Sequence, residues 1–459
     1  MAESTAPVEK NQQLEVMFTD LTQDGSAVAK VNGYALFIPG GLPGEKAIIQ
    51  VVKTKKGYGY GRLLEITEPS ARRTDPPCPY YPQCGGCAIQ HISAEGQLAY
   101  KREIVQNDLE RIGGLSGIRV EPTLGMDEPW RYRNKIQVPV AVQNGQFAFG
   151  FYKKRSHEII NMDHCMITDP LIDEVVQTAR RIAEDNQIEP YNEAKHRGVL
   201  RHVMARIGRK TGEVMVVFVT RGDELPHRKT LIKGLTERYP QIKSIAQNIN
   251  SKRTNAIFGD ETKTLWGRDV IYDQIGDITF AISARSFFQV NPVQTEVLYG
   301  KALEYAGLTG SETVIDAYCG IGTISLFLAK KAKHVYGVEI VPEAIEDARK
   351  NAERNKITNA TFQVGKSEDV IPAWRDQGIA PDVIVVDPPR KGCDASLIST
   401  MIDMHPKRIV YVSCNPATLA RDLKMLTAGG YQVKKVQPVD MFPQTLHVET
   451  VVLMSRVDK

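Results

Sequence analysis

Two segments near the end of the chain place reactive side chains directly after apolar, strand-like runs. In VIVVDPPRKG, Asp387 follows the run, and in RIVYVSCNP, Cys414 ends it. Ligands of open α/β sheets bind at the carboxyl ends of the strands, so we expect both side chains at one rim. A third segment, DMFPQTLHVET, puts Glu449 at the edge of the final strand. One thiol and two carboxylates are therefore predicted close together.

A glycine turn upstream is typical of a nucleoside cofactor site. TVIDAYCGIGTISLF runs through a strand, a turn containing Gly320 and Gly322, and a helix. The glycines allow a ligand to approach the backbone closely, and the helix N-terminus offers free NH groups. One strand further on, Glu339 is placed to accept hydrogen bonds from ribose hydroxyls. NAD and S-adenosylmethionine both use this geometry, so the turn alone leaves both cofactors open.

A thiol and a carboxylate beside a methyl donor suit the methylation of an unreactive pyrimidine carbon. C5 of uracil is a poor nucleophile until a thiolate adds to C6. After methyl transfer, a general base removes the C5 proton and the thiolate is eliminated. Cys414 is the candidate nucleophile because it ends a strand and precedes Asn415-Pro416, whereas Cys319 and Cys393 fit better as small buried side chains.

A separate group of cysteines indicates a metal centre. CPYYPQCGGC sets Cys78, Cys84 and Cys87 at C-x5-C-x2-C spacing, and Cys165 follows much later in DHCMI. Four thiolates can hold either zinc or a [4Fe–4S] cluster, and the spacing alone does not decide between them. A compact trio with one remote cysteine favours iron–sulfur, because zinc ligands more often come in two pairs. The alternative is a set of unrelated loop cysteines.

These motifs resemble the signatures of the RNA uracil-5-methyltransferases, most closely the RumA-like branch that acts on 23S rRNA. DPPRKG followed by IVYVSCNPAT is similar to the first signature, and VDMFPQTLHVE to the second. The resemblance implies that Cys414 is the nucleophile, that Glu449 is the base and that Asp387 touches the target uracil. It also implies four contacts to S-adenosylmethionine: Gln289, Tyr318, Glu339 and Asp387.

The same resemblance extends to the front half of the chain. It implies that Cys78, Cys84, Cys87 and Cys165 hold a [4Fe–4S] cluster, and that the N-terminal strands form a TRAM domain. Because tRNA-acting members are expected to lack both barrel and cluster, the resemblance favours 23S rRNA, with one or two target uracils. The alternatives are a tRNA uracil-5-methyltransferase, or an RNA-binding ribosome assembly factor with incidental methylation. A DNA cytosine methyltransferase is disfavoured because the nucleophile lies in SCNP rather than in a Pro-Cys loop.

The elements that must position these residues fall into three stretches. Residues 14–67 show five short strands separated by glycine turns, typical of an OB-like barrel. A helix is predicted within 88–112, and from about 130 to 285 strands dominate, with helices near 170–185 and 226–239. From 293 onward helices and strands alternate, the signature of a doubly wound parallel sheet.

We therefore predict an α/β protein with three domains. The first, residues 1–70, is an OB-like RNA-binding barrel of the TRAM type. The second, residues 71–285, is an α+β RNA-binding domain that holds the iron–sulfur cluster. The third, residues 286–459, is a class I, Rossmann-like catalytic domain that binds S-adenosylmethionine.

Composition places the chain among soluble globular proteins. Its 459 residues are 42% hydrophobic and 24% charged, which excludes wholesale disorder. No apolar stretch approaches the roughly 20 residues of a membrane span. The polar N-terminus shows no secretory pattern, and seven cysteines then fit a reducing compartment. We expect a cytoplasmic protein without a membrane partner, and nothing in the sequence demands more than a monomer.

Basic residues concentrate in the front half of the chain, although the net charge is only +4. A solvated surface explains any single cluster, but several together favour binding of a polyanion. The clusters are Lys53–Lys56, Arg131–Lys135, Lys153–Arg155 and Lys195–Lys210. Phe287 and Phe288 are candidates for stacking on an extruded base, with a place in the core as the equal alternative.

Overall fold

The N-terminal strands of the computed structural model, which describes residues 6–143 and 145–457, close into a five-stranded barrel. The order β1-β2-β3-β5-β4 closes because β1 pairs with both β2 and β4. The strands are β1 (Gln13–Leu21), β2 (Ser26–Val31), β3 (Tyr34–Pro39), β4 (Lys46–Thr54) and β5 (Tyr58–Glu68). The OB-like barrel is confirmed. The first five residues of the predicted domain 1–70 lie outside the described ranges.

Helices α1 to α3 and a six-stranded sheet follow the barrel. The helices are α1 (Ala94–Arg111), α2 (Pro170–Asp185) and α3 (Arg228–Arg238). The strands are β6 (Lys135–Gln143), β7 (Gln146–Phe149), β8 (Leu200–Ile207), β9 (Val214–Thr220), β10 (Ile242–Ile249) and β11 (Glu261–Gly267), in the sheet order β11-β10-β9-β8-β6-β7. Helix α2 shows why these elements form: Asp169 caps it, Pro170 begins it, and Ile172, Val175 and Ala179 bury one face.

The last part of the described chain builds a seven-stranded sheet with helices on both faces. Its strands are β14 (Thr313–Ala317), β15 (His334–Glu339), β16 (Ala360–Val364), β17 (Val383–Val386), β18 (Arg408–Ser413), β19 (Tyr431–Val439) and β20 (Glu449–Arg456), preceded by the hairpin β12 (Val270–Ile275) and β13 (Ile278–Ser283). Its helices are α4 (Pro292–Ala306), α5 (Thr323–Ala329), α6 (Pro342–Arg354), α7 (Ser367–Asp376), α8 (Ala395–Asp403) and α9 (Pro416–Ala428). The Rossmann-like catalytic fold is confirmed.

One detail of this sheet differs from the prediction. The order is β16-β15-β14-β17-β18-β20-β19, and β20 runs antiparallel to both of its neighbours. A parallel neighbour needs a crossover of about a dozen residues or more, and the loop 440–448 between β19 and β20 is shorter than that. The expectation of a wholly parallel sheet is therefore wrong at this end.

Segments from the front half pack directly against the catalytic sheet. Val120 and Leu124 form parallel bridges to Val436 and Val439 of β19, so they extend the sheet beyond its edge. The hairpin β12–β13 shares the core on one face of the sheet. The predicted boundaries at residues 70 and 285 stay predictions, and residues 458–459 of the last domain lie outside the described ranges. No helix within the described residues is long and apolar enough to span a bilayer.

Candidate active site

A large cavity of about 1690 Å³ opens at the carboxyl ends of β14, β15, β17 and β18. Every catalytic or cofactor-binding residue predicted from the sequence lines it: Gln289, Tyr318, Glu339, Asp387, Cys414 and Glu449. The structure therefore brings together side chains that are up to 160 residues apart in the sequence. Their chemical roles stay predictions.

Cys414 occupies the short turn between β18 and α9 and is half-buried. The Asn415 side chain accepts a hydrogen bond from the Ala417 NH at 3.1 Å, which caps α9, and donates to the Arg390 carbonyl at 3.0 Å. The turn is thus tied to the loop that follows Asp387. Burial raises the pKa of the Cys414 thiol to about 11, the charges of Glu449 and Asp387 act in the same direction, and Arg390 opposes them.

Two carboxyl groups lie near this thiol: Glu449 is buried and Asp387 is half-buried. Burial raises the pKa of Asp387 to about 7. Burial and the charge of Asp387 also raise the pKa of Glu449 well above its ordinary value, and the Arg390 guanidinium partly offsets them. A carboxylate with a raised pKa is a stronger base than an exposed one. The site therefore combines a nucleophilic atom with a proton acceptor.

The cofactor turn joins β14 to α5. Tyr318 has a left-handed backbone, with φ at 69°, and Gly322 ends the turn at φ 83°, where a side chain would be strained. The Glu339 carboxylate accepts hydrogen bonds from the Gly320 NH at 3.3 Å and from the Val341 NH at 3.1 Å. The strand-end carboxylate is therefore fixed directly beside the glycine turn, as the sequence predicts.

An apolar strip beside Glu339 was not predicted from the sequence. Ile340 is 56% exposed and Val341 is 45% exposed, and both line the cavity. Exposed aliphatic side chains in a concave site suit contact with a flat heterocycle. The available signal was the placement of two branched apolar residues after the strand-end carboxylate, in VEIVP.

The two candidate stacking residues have different environments. Phe287 is 72% exposed and lines the cavity, so its role in stacking stays a prediction. Phe288 is 2% exposed, and its ring packs 5.9 Å from that of Phe280. The stacking interpretation of Phe288 is therefore wrong, and the alternative of a core aromatic holds.

The loop 440–448 forms another wall of the cavity, and the sequence reasoning missed how it is held. The Gln97 amide of α1 donates to Gln444 Oε1 at 2.9 Å and accepts from the Gln444 NH at 3.0 Å. It also donates to the carbonyls of Ile89 and Ile92. The NH groups of Ala88 and Ile89 both donate to the Gln444 carbonyl. The cysteine-bearing segment and the catalytic loop are thus joined through Gln97 and Gln444.

A buried ion pair fixes the same loop at its start. Lys101 of α1 is fully buried, and its Nζ lies 2.5 Å from Asp440 Oδ1 and 3.1 Å from the Phe442 carbonyl. Burial lowers the pKa of Lys101 and raises that of Asp440, while each partner opposes the effect on the other. Nothing in the local sequence marks Lys101, because lysines in a helix are usually solvated.

The four predicted metal-binding cysteines line a second, smaller cavity of about 210 Å³: Cys78, Cys84, Cys87 and Cys165. The Gly86 NH donates to Cys84 Sγ at 3.4 Å, and the Gly85 NH donates to the Tyr152 carbonyl at 3.0 Å. Within residues 6–143 and 145–457, no group of three or more His, Cys, Asp or Glu side chains is placed to hold a metal ion. The metal-binding role of these four cysteines stays a prediction.

Comparison with known proteins gives consistent results over the whole chain. Residues 241–457 match the family model described as tRNA (Uracil-5-)-methyltransferase, and residues 7–64 match the TRAM domain. The chain is 61% identical over 454 residues to an uncharacterized RNA methyltransferase of Halalkalibacterium halodurans, with 99% of each chain covered. It is 50% identical over 459 residues to one of Clostridium acetobutylicum, with full coverage of both.

A solved structure is similar over nearly the same length. It is the tRNA (uracil-54, C5)-methyltransferase of Pyrococcus abyssi in complex with S-adenosyl-L-homocysteine, with a TM-score of 0.77 and 30% identity. The match covers 96% of this chain and 100% of that chain. The uncovered part is too short to contain the barrel. The expectation that tRNA-acting relatives lack the barrel is therefore wrong, and the barrel alone does not identify the RNA.

Proposed function

Because this chain belongs to the family of RNA uracil-5-methyltransferases that use S-adenosylmethionine, we propose that it methylates C5 of uracil in 23S rRNA. The product is 5-methyluridine, at one or two sites. The observation that carries the proposal is the convergence of Cys414, Glu449 and Asp387 on the cavity that also contains the cofactor turn. We further propose that the enzyme is a cytoplasmic monomer, since one chain supplies all of these groups.

The proposed reaction uses each of these side chains for one task. The Cys414 sulfur adds to C6 of an extruded uracil, which gives C5 the character of an enolate carbon. S-adenosylmethionine, when bound at the cofactor turn, would supply the methyl group that bonds to C5, leaving S-adenosylhomocysteine. Glu449 accepts the proton of C5, and the electrons of that C–H bond expel the Cys414 thiolate from C6. We assign Asp387 to the edge of the uracil ring.

The cofactor is assigned to the turn between β14 and α5 and the residues around it. Glu339 is proposed to bind the ribose hydroxyls, while Gln289, Tyr318 and Asp387 contact the rest of the molecule. Ile340 and Val341 add the apolar surface that a purine ring requires. The donor set and the open cavity beside the glycine turn fit this group.

The RNA substrate is tested by isotope transfer. The protein is purified anaerobically and incubated with methyl-labelled S-adenosylmethionine and unmodified total RNA. The RNA is then separated by size, digested to nucleosides and examined by mass spectrometry. Label in 5-methyluridine from 23S rRNA is the expected result. Label in any other nucleoside, or in none, contradicts the proposal, and the Cys414→Ala variant serves as the blank.

A second candidate substrate is tRNA. The structural similarity to a tRNA (uracil-54, C5)-methyltransferase over 96% of this chain favours it. The proposed chemistry of Cys414 and Glu449 is the same for both RNAs. Label in 5-methyluridine from tRNA alone would keep those roles and replace 23S rRNA as the substrate.

A role as an assembly factor with incidental methylation makes a different prediction. If binding alone matters, a gene carrying Cys414→Ala restores the ribosome profile of a deletion strain. If methylation matters, that gene fails although its product is present at the normal level.

The roles of nucleophile and base predict two different failures. Cys414→Ala abolishes methylation but leaves the affinity for S-adenosylmethionine unchanged. Glu449→Gln permits methyl transfer but slows release by about 10²–10⁴-fold, the usual contribution of a general base. A covalent protein–RNA adduct should then be visible on a denaturing gel. The double variant is the control, and an adduct that persists without Cys414 would contradict the assignment.

We also propose that Cys78, Cys84, Cys87 and Cys165 hold a [4Fe–4S] cluster. Their shared cavity supports a common ligand, and a compact trio with one remote cysteine favours the cluster over zinc. Anaerobically purified protein should contain about four iron and four sulfide per chain. Cys87→Ser should lose most of both, whereas Cys393→Ser, outside this cavity, should retain them. One zinc per chain without sulfide would contradict the proposal.

A further inference from the structure

Strand β5 of the barrel has an inverted pattern of side chains. In Tyr58-Gly59-Tyr60-Gly61 the glycines are buried and the tyrosines point outward. A Cβ at Gly59 would lie 2.8 Å from Leu36 Cδ2 and 2.9 Å from the Lys53 carbonyl, so the interior has no room for a side chain. Barrel packing therefore explains the glycines. It does not require two large aromatic side chains on the solvent side, where strands usually carry polar residues.

The outward aromatic rings form one contiguous patch. Phe37 of β3 joins them because β3 and β5 pair in parallel, with Phe37 opposite Tyr60. The ring centroids are 5.7 Å apart for Phe37 and Tyr58, 6.1 Å for Phe37 and Tyr60, and 5.7 Å for Tyr58 and Tyr60. Tyr60 is 40% exposed, and the other two rings are partly exposed. We call these three residues the aromatic face.

Exposed cations surround the aromatic face. Lys53 is paired across the ladder with Tyr60, and Lys55 Nζ lies 5.6 Å from the ring of Tyr58. Lys30 pairs with Ala35, which lies directly opposite Tyr58, and Arg62 is two residues beyond Tyr60. None of these four cations forms an ion pair with a carboxylate in the described part of the chain. Their charges are therefore free to meet an anion.

The aromatic face extends from the middle of the barrel toward the end that is remote from the catalytic loop. The β1–β2 turn packs on that loop, since a Cβ at Gly25 would lie only 2.9 Å from Leu446 Cδ2, and Leu446 lines the active-site cavity. Strand β2 runs from this turn toward the β2–β3 turn. Phe37 pairs with Val28 in the middle of β2, whereas Tyr58 and Tyr60 lie toward the second end, where β5 begins. A ligand on it would therefore be separate from the uracil that enters the active site.

We propose that the aromatic face binds a single-stranded segment of the substrate RNA, at a distance from the target uracil. Bases stack on Tyr58, Tyr60 and Phe37, while Lys53 and Lys55 contact the phosphates. Aromatic rings interleaved with cations are the usual platform for single strands, because every base has a face that can stack. The inference rests on the proposed function, since it takes RNA as the substrate. It adds that an unpaired segment outside the active site is part of what the enzyme recognises.

The test measures binding without methyl transfer. The full chain, with the cysteines of the second cavity intact and without S-adenosylmethionine, is titrated into a fluorescent oligoadenylate of about 12 nucleotides. This probe contains no uracil, so the active site contributes no covalent bond. The Tyr58→Leu/Tyr60→Leu variant should bind about tenfold more weakly or worse. Tyr60→Phe should bind like the wild type, because the ring and not the hydroxyl stacks.

Matched controls decide the outcome. Met17, 52% exposed on β1 of the same barrel, is outside the aromatic face, and Met17→Ala should leave affinity unchanged. Lys53→Gln/Lys55→Gln should reduce the dependence of affinity on salt. A duplex of the same length should lose little affinity in the tyrosine variant. Equal affinity of variant and wild type for the single strand, or an equal loss for the duplex, would overturn the proposal.

Two further points keep the result unambiguous. If the double variant unfolds, Tyr60→Leu alone, at the most exposed of the three rings, is measured in its place. If the oligoadenylate binds as expected but no RNA accepts the methyl label, the proposed function fails and the aromatic face stands. If methylation of 23S rRNA occurs and the tyrosine variants bind the oligoadenylate normally, the proposal for the aromatic face fails and the proposed function stands.

Discussion

At the scale of single residues, the environment of Cys414 keeps its thiol protonated while no substrate is present. Burial raises its pKa, and the two nearby carboxyl groups add to the effect. A protonated thiol resists alkylation and oxidation, because the thiolate is the reactive form. The nucleophile is thus protected until substrate binding changes the charges around it.

The alkylation rate of Cys414 tests this environment. Iodoacetamide labelling, followed by mass spectrometry of the Cys414 peptide, should rise with pH and reach its midpoint near the pKa of about 11. Glu449→Gln removes a nearby negative charge and should lower the midpoint, whereas Arg390→Gln removes a positive charge and should raise it. A midpoint near that of an exposed thiol would contradict the description of the site.

The raised pKa of Asp387 predicts that the stability of the protein depends on pH. Its pKa rises from an ordinary value of 3.8 to about 7 on folding, so the folded state binds the proton more tightly than the unfolded state does. The stability that the protonated Asp387 side chain contributes is fully present below pH 3.8, and it is lost as the pH rises through 7. Asp387→Asn should therefore gain on the order of 2–4 kcal/mol over the wild type near pH 8.5 and little near pH 4. Calorimetry at the two pH values checks this, and a gain independent of pH would contradict it.

The candidate catalytic and cofactor-binding residues were predicted from the sequence, whereas the residues that hold the neighbouring loop in place were not. Cys414, Asp387 and Glu339 were found because a reactive side chain directly after an apolar run has few other places to lie. Gln97 and Lys101 were missed because each meets its partner more than 300 residues away, and no local pattern encodes such a contact.

At the scale of elements, helix α1 holds the loop 440–448 through the buried pair of Lys101 and Asp440. Lys101→Met leaves Asp440 buried without its partner, and should reduce the free energy of unfolding by about 3–5 kcal/mol. Lys101→Met/Asp440→Leu removes both charges and should recover most of that loss. Urea unfolding of the wild type, Lys101→Met, Asp440→Leu and the double variant measures both effects. If the double variant is as unstable as the two single losses combined, the pair does not act as a unit.

Gln97 allows a separate test of the same contact. Gln97→Glu keeps the shape and can still accept from the Gln444 NH, but it loses the donor to Ile89, Ile92 and Gln444 Oε1. Because the loop 440–448 lines the cavity that also contains Cys414, the proposed site of the uracil, we expect KM for RNA to rise about tenfold. The Kd for S-adenosylmethionine, measured by calorimetry, should not change. Equal weakening for both ligands would indicate a general structural defect.

Most of the elements were predictable, and the exceptions have physical reasons. Strands such as β17 are short apolar runs, and α2 has a clear apolar stripe. Helix α7 has a weaker sequence signal because Pro372 interrupts its pattern, and β11 has one because its residues are largely polar and exposed. The antiparallel direction of β20 follows from the shortness of the loop 440–448. This direction was not predicted because each strand was recognised from its own residues and not from the length of the loop before it.

At the scale of the whole molecule, alternating helices and strands after residue 293 were enough to predict the catalytic fold, and five short strands were enough to predict the barrel. The arrangement of these parts could not be predicted. The β1–β2 turn, helix α1 and the cysteine-bearing segment all converge on the loop 440–448. Contacts between distant surfaces depend on complementarity that composition and periodicity do not record.

The extension of the catalytic sheet by Val120 and Leu124 bears on how such enzymes can be rearranged. A fragment made of residues 286–459 alone would expose the edge of β19 at Val436 and Val439, and would leave Asp440 without Lys101. Exposed edges invite pairing with other chains, and a buried carboxylate without a partner is destabilising. The catalytic half is therefore not portable: a recombinant that grafts it onto another RNA-binding front half must carry residues 94–124 with it, or supply an equivalent helix and edge segment.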